Sequence, residues 1–313
     1  MKSKLPKVAR PTDEGKIEKK TPEPLLTIVM PVRNCAGYMM RMLNEVNAQR
    51  AACGELAERV CLVIVDDASD DETARFAAEF SKERPWITRL AGTERIGAGG
   101  CRNRGAKFAM EVLKTAYTAF FDADDFLSQN ALTTIVSFLR DGKADCVTWG
   151  FQTLNSNEEA NKAWIPKYRN PDEWPTCPVA PWLHAIRSHM VAPFPEQLTT
   201  DDTIWWFRQA QMLQEMGAKF AFVYRPLYVY DRRTGGCTRA CDYFAKHSVS
   251  LEEAAVDDVC INNRFPDRYI SDCLRNLAEM YDMRNSLTGV VREEFYKRFR
   301  RDVAACMTGH WGW

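Results

Sequence analysis

The 313-residue chain is expected to fold as an α/β protein, a mostly parallel sheet flanked by helices and followed by a helical C-terminal extension. Two observations predict this. From residue 25 onward, short apolar runs alternate with amphipathic stretches of helical period, and polar residues gather directly after three of those runs. Alternating β and α units of this length build parallel sheets, whose ligands bind beyond the carboxyl ends of the strands.

The elements follow in order. "LLTIVMPV" (25–32) reads as the first strand, "YMMRMLNEVNAQ" as a helix, "VCLVIVDD" (60–67) as the second strand and "DETARFAAEFSK" as the second helix. "WITRLAG" gives a strand, residues 99–114 a helix, "YTAFFDAD" (117–124) a strand, 129–140 a helix and "ADCVTWGFQTL" a strand. Residues 155–200 lose this rhythm and become rich in proline, tryptophan and asparagine. A helix over 201–216 and strands in "AKFAFVYRPLYVYDRR" come next. Beyond about residue 240 the pattern is helical, in "SLEEAAVDDVCINN", "RYISDCLRNLAEMYDM" and "REEFYKRFRRDVAACM".

Residues 1–24 combine many charges with four prolines and few large apolar side chains, and are expected to be a flexible tail. The domain expectation is therefore a tail over 1–24, a catalytic-type α/β domain over 25–239 and a helical extension over 240–313. Lysine plus arginine equals aspartate plus glutamate, 42 each, so overall charge favours no polyanionic partner. The eleven cysteines are scattered singly, which reads as reduced, buried thiols in a cytoplasmic protein. Cys237 and Cys241 are close but lack the Cys/His partners of a structural zinc site. No apolar run reaches the roughly 18 residues that cross a bilayer.

Chemistry is expected where "PVRN" (31–34), "VDDASDDET" (65–73) and "FDADDF" (121–126) meet at the carboxyl edge of the sheet. Asp122, Asp124 and Asp125 repel one another unless a positive group neutralises them, and a divalent metal is the obvious candidate. A solvated loop followed by a helix cap is the plainer alternative, as it is for Asp66 and Asp67. The glycine-rich "IGAGGCRNRGA" (96–106) does not follow the first strand, so it is poorly placed for a dinucleotide fingerprint.

Taken in series, "TIVMPVRN", "VIVDDASDDET", "GAGGCRNRGAKFA", "AFFDADD", "APWLHAIR", "FPEQLTTDDTIWWFR" and "YVYDRR" resemble the family 2 glycosyltransferases of the GT-A, Rossmann-like fold. The match covers roughly residues 25–235. The resemblance implies transfer of a sugar from a nucleotide diphosphate sugar to an acceptor hydroxyl, with inversion, and Mg²⁺ or Mn²⁺ as cofactor. It assigns Asp67 to the donor base and Pro31, Val32 and Arg33 to the nucleotide pocket. Asp122 and Asp124 form the DxD-type element that meets the ribose and the metal. Arg102, beside Asn103, supports the nucleotide sugar or neutralises Asp122, the alternative being a structural ion pair.

The same resemblance makes Asp202 the base that deprotonates the acceptor, at a helix start where the macrodipole favours the ionised form. Trp206 stands four residues on, as in relatives, while Asp201 replaces the usual glutamate. Trp182 is expected to stack on a sugar, and His184, where relatives often carry lysine, to act as a pH-sensitive substitute or simply to pack against the cleft. Trp149, Trp164 and Trp174 add aromatic surface suited to a carbohydrate, or ordinary core. Arg232 and Arg233 are expected to close over the diphosphate, since the histidine that relatives carry near Thr234 is missing.

The acceptor is left open among a glycan, a lipid-linked sugar, a protein and a modified nucleobase. The C-terminal helices are expected to cover the acceptor, to form a homo-oligomer interface or to bind a partner. The rival readings are a nucleotide-sugar-binding scaffold without turnover and a nucleotidyltransferase; the intact acids at 67, 122, 124 and 202 argue against the first.

Overall fold

The computed structural model describes residues 23–154, 162–168, 173–174, 180–195, 202–232, 283 and 285–308. The 1–22 stretch of the expected tail, most of the expected extension, and Cys237 and Cys241 lie outside the described residues.

Four strands, β1 (Leu26–Val32), β2 (Val60–Asp66), β3 (Ile87–Leu90) and β4 (Tyr117–Phe120), form the parallel half of the sheet. They are nearly continuous apolar runs, as strands covered on both faces must be, and Leu26, Ile28, Val29, Leu62, Val63 and Phe120 are buried. Between them run α1 (Met39–Ala51), α2 (Thr73–Ser81) and α3 (Gly97–Glu111), each within a few residues of its expected span. α3 lies directly on β1: a Cβ at Gly105 would stand 2.3 Å from Val29 Cγ1, so only glycine permits this approach.

Beyond β4 the sheet becomes mixed. Its order is β3, β2, β1, β4, β8 (His184–Arg187), β6 (Cys146–Leu154), β9 (Phe220–Asp231) and β5 (Phe126–Leu127), with β7 (Ala163–Trp164) pairing on β6. β8 (His184–Arg187) inserts antiparallel between β4 and β6 and was not foreseen. The expected strands of 218–233 are one strand, β9 (Phe220–Asp231), parallel to β6 with a shift in register at Gly150. There a Cβ would stand 2.4 Å from the Trp164 carbonyl oxygen, so the glycine admits the kink. The shift delivers the end of β9 to the short strand β5 (Phe126–Leu127), where Phe126 pairs with Val229. α4 (Ala131–Arg140), α5 (Asp202–Glu215) and α6 (Gly289–Thr308) complete the described elements, with Phe295 of α6 edge-on to Phe207 of α5.

The chain moves outward from β1 to β3, then returns to place β4 on the other side of β1. The carboxyl ends of β1 and β4 thus flank the point where strand order reverses, where α/β sheets open a crevice. Among the described residues, no helix is long and apolar enough to cross a membrane. Cys35, Cys53, Cys61, Cys101 and Cys146 are all free thiols.

Candidate active site

The loops after β1 and β2 are tied together. Asn34 accepts the Asp70 amide at 3.1 Å, and its own amide donates to Ser69 Oγ at 3.2 Å. Arg33 Nη1 donates to the carbonyl oxygens of Asp67 and Ala68 at 2.6 and 2.8 Å, so this arginine props the loop beneath it. Asn34 and Ala68 both take positive φ, 45° and 53°, a conformation that costs a non-glycine residue on the order of 1 kcal/mol. Gly92, after β3, closes this corner: its Cβ would meet the Asp66 carbonyl oxygen at 2.3 Å. Val32 is buried and its carbonyl accepts the Asp67 amide, while Pro31 is half-buried.

Asp67 is also buried, and its carboxylate caps α3. Oδ1 accepts the amides of Ile96 and Gly97 at 2.6 and 3.1 Å, Oδ2 lies 3.2 Å from the Gly97 amide, and Arg95 approaches Oδ2 to 3.9 Å. An anion at a helix start satisfies otherwise unpaired amides and meets the positive end of the helix dipole. Asp67 therefore joins the glycine-rich segment to the end of β2.

Five residues into α3 the helix delivers Arg102. This side chain is 5% exposed; Nη2 donates to Asp122 Oδ1 at 2.9 Å and Nη1 to Asp202 Oδ1 at 3.2 Å. Asp122 follows β4 and Asp202 opens α5, so one buried guanidinium joins three elements. Asn103 braces the arrangement from the other side, pairing with both the amide and the carbonyl of Phe194. The Asp122 amide donates to the Tyr228 hydroxyl at 3.0 Å.

Asp124 is half-buried beside these acids. Burial first, then the charges of Asp122 and Asp231, push its carboxyl up to about 6. Asp125 is fully buried and its Oδ1 accepts the Asp231 amide at 2.8 Å; burial and the adjacent Asp124 and Asp122 hold its carboxyl well above the usual range. Among the described residues no three His, Cys, Asp or Glu side chains converge as a closed metal cage. Two carboxylates on one loop, one of them held up by burial and by acidic neighbours, instead suit a hard cation that keeps open positions.

The acceptor-side expectation for Trp182 is corrected, and for His184 the packed alternative holds over the lysine substitute. His184 lies in the core, 1% exposed, stacked on Trp206 at 5.1 Å and tilted against Trp174 at 5.3 Å. Thr148 Oγ1 takes the Trp174 indole N–H at 2.9 Å and stands 3.0 Å from His184 Nδ1. Burial pushes the imidazole down to about 3, so it is neutral and is no substitute for a lysine. Trp182 is buried too, its ring stacked on Tyr228 at 4.5 Å and 9° and set edge-on to Phe151, which leaves little face for a sugar. Trp149, Trp174 and Trp206 are likewise core; Trp164 is half-buried. Arg232 donates its amide to the Leu154 carbonyl at the end of β9, while Asp201 and Arg233 lie outside the described residues.

Sequence reasoning missed Arg41 and Asp231. Arg41 Nη2 donates to the Asp124 carbonyl oxygen at 2.9 Å and to Asp231 Oδ2 at 3.1 Å. Arg41 reads in sequence as an ordinary polar residue of an amphipathic helix, and its acidic partner is 190 positions away.

A sheet whose strand order reverses at β1, with one acid from a strand end and one from a helix start held by a buried arginine, is that of a GT-A type α/β fold. Residues 27–179, just under half of the chain, match the model of "Glycosyl transferase family 2". The chain is similar to the minor teichoic acid biosynthesis protein GgaA of Bacillus subtilis, 26% identical over 38% of this chain. It is also similar to the glycosyltransferase GlyA of Streptococcus pneumoniae, 24% identical over 42% of this chain. These alignments span only 26% and 18% of the relatives' own length. Among solved structures, TarS of S. aureus, residues 1–349 with UDP-GlcNAc, superposes with a TM-score of 0.56 at 16% identity, covering 91% of this chain and 92% of that one. The mannosyltransferase PcManGT of Pyrobaculum calidifontis, with GDP-Man and Mn²⁺, does so at 0.51 and 17%, covering 93% and 77%.

Proposed function

We propose that the protein is a metal-dependent glycosyltransferase that moves a sugar from a nucleotide diphosphate sugar to an acceptor hydroxyl, with inversion at the anomeric carbon. The observation that carries this reading is the Arg102 bridge: the acid expected to serve the donor, Asp122, and the acid expected to serve the acceptor, Asp202, share one buried cation.

In this reading Asp202, 40% exposed at the start of α5, accepts the proton of the acceptor hydroxyl. The acceptor oxygen forms its bond to the anomeric carbon as the bond to the diphosphate oxygen breaks, and the nucleoside diphosphate leaves. Arg102 holds Asp202 toward the donor acid, so nucleophile and leaving group are aligned before reaction. Asp122 and Asp124 would hold Mn²⁺ or Mg²⁺, which supplies positive charge to the departing diphosphate. Pro31, Val32, Arg33 and Asp67 edge the nucleoside pocket, with Asp67 also keeping α3 in place. Arg232 and Arg233 follow β9 and lie in sequence where they can add charge to the leaving group. The UDP-GlcNAc and GDP-Man of the two structural neighbours support a nucleotide diphosphate sugar as the donor class. The curated relative from teichoic acid biosynthesis favours a glycan-type acceptor over a protein or nucleobase.

The test is incubation with UDP-GlcNAc and GDP-Man, each with Mn²⁺ and with EDTA, reading nucleoside diphosphate release. Release with one donor only in the presence of metal is expected, and the anomeric coupling of the sugar product reads out inversion. Donor binding without any release, with hydroxyl acceptors present, would make the protein a nucleotide-sugar binder.

A further inference from the structure

The proposed reading gives Arg102 a task but none to the second arginine at the acidic loop. We infer that Arg41 is the positioning residue of that loop: it fixes the main chain at Asp124 against the end of β9, and so sets the geometry with which Asp124 meets a divalent cation. This inference rests on the glycosyltransferase reading for its cation and on geometry for its mechanism.

Arg41 projects from the first turn of α1, and a single nitrogen, Nη2, makes both contacts, to the Asp124 carbonyl oxygen and to Asp231 Oδ2. Its guanidinium carbon stands 3.6 Å above the centroid of Phe126, which fixes the plane of the group. Asp231 is 1% exposed at the side chain and returns the connection, since its amide donates to Asp125 Oδ1. The carbonyl of Asp124, the carboxyl of Asp125 and the ring of Phe126 are thus all tied to Arg41 or to its partner Asp231. The hydrogen bonds of Arg41 go to the carbonyl of Asp124 and to Asp231, and neither uses the Asp124 carboxylate. Partners outside a coordination shell that orient its ligands typically alter metal affinity by about 10–100-fold when removed.

The experiment compares wild type, Arg41→Met and Arg41→Lys in the full chain. Mn²⁺ affinity in the presence of UDP is read by water-proton relaxation, UDP affinity is measured in EDTA, and hydrogen exchange is followed in peptides covering 121–127 and 228–232. Arg41→Met is expected to weaken Mn²⁺ binding about 10-fold or more, to leave metal-free UDP binding unchanged and to speed exchange in both peptides. Arg41→Lys, which keeps the positive charge beside both oxygens, is expected to restore part of the affinity; it also serves if the Met variant fails to fold. Unchanged Mn²⁺ affinity in a folded Met variant would overturn the inference, as would a loss of metal-free UDP binding, which would make Arg41 a direct ligand of the donor. If wild type binds neither UDP nor Mn²⁺, the glycosyltransferase reading fails. The exchange data then decide the positioning claim alone: unchanged exchange overturns it, and faster exchange in both peptides upholds it.

Discussion

Arg102 and Asp202 are one hundred residues apart in sequence and 3.2 Å apart in space, and the same guanidinium holds Asp122 at 2.9 Å. A buried arginine with two acidic partners leaves both acids uncompensated when removed. Arg102→Met is therefore expected to lower stability by about 3–5 kcal/mol, the usual cost of breaking a buried pair, less the share screened by solvent at Asp202. Turnover should fall by at least about 100-fold in the fraction that remains folded. Thermal melts and donor turnover measured together check this; a melt unchanged by the substitution would show that the bridge is not formed.

In the proposed mechanism Asp202 accepts a proton only as the reaction proceeds. Asp202→Asn is expected to lower kcat by roughly 10²–10⁴-fold while donor affinity stays within a few-fold. Titration calorimetry with donor, set beside single-turnover kinetics, separates the two quantities. A large loss of donor affinity with little effect on kcat would move the base to another residue.

His184 contributes a pH dependence of its own. Burial among tryptophans holds its folded-state value at about 3, below the ordinary 6.5, so the unfolded chain binds more protons than the native one between those values. Stability from this group is complete above pH 6.5 and is lost as pH falls toward 3, by up to about 5 kcal/mol. His184→Asn keeps an acceptor for Thr148 and removes the titration. The variant should lose stability less steeply than wild type in urea melts between pH 7 and 4. Parallel profiles would contradict the buried neutral imidazole.

Gly105 is the contact on which α3, and hence Arg102, rests. A methyl group there would stand 2.3 Å from Val29 Cγ1, so Gly105→Ala should destabilise the fold by about 1–3 kcal/mol despite its higher helix propensity. It should also lower turnover, because α3 would shift away from β1. Chemical denaturation and an activity assay check both, and an unchanged or raised midpoint would refute the close contact.

The parallel half of the sheet was legible because its strands are unbroken apolar runs that end in polar residues, and the pairing of Arg102 with Asp122 was legible from the motifs. β8 was not, since "HAIR" is four residues inside an irregular, proline-rich stretch and its antiparallel placement depends on both neighbours. Trp182 was misread, and His184 left between two readings, for a related reason: aromatic and imidazole rings carry the same letters in a cleft and in a core. Only the packing of Trp174, Trp206 and Tyr228 around them decides which applies. Arg41 and Asp231 were invisible because nothing local marks a pairing between α1 and the end of β9.

The central claim is a metal-assisted donor site built on Asp124, and the most direct test is a thermal-shift screen of nucleotide diphosphate sugars with and without Mn²⁺, on wild type and on Asp124→Ala. One nucleotide series should raise the wild-type midpoint only when Mn²⁺ is present, and the gain should disappear in the variant. A folded wild type stabilised by no donor, or a gain that survives in Asp124→Ala, would contradict the claim.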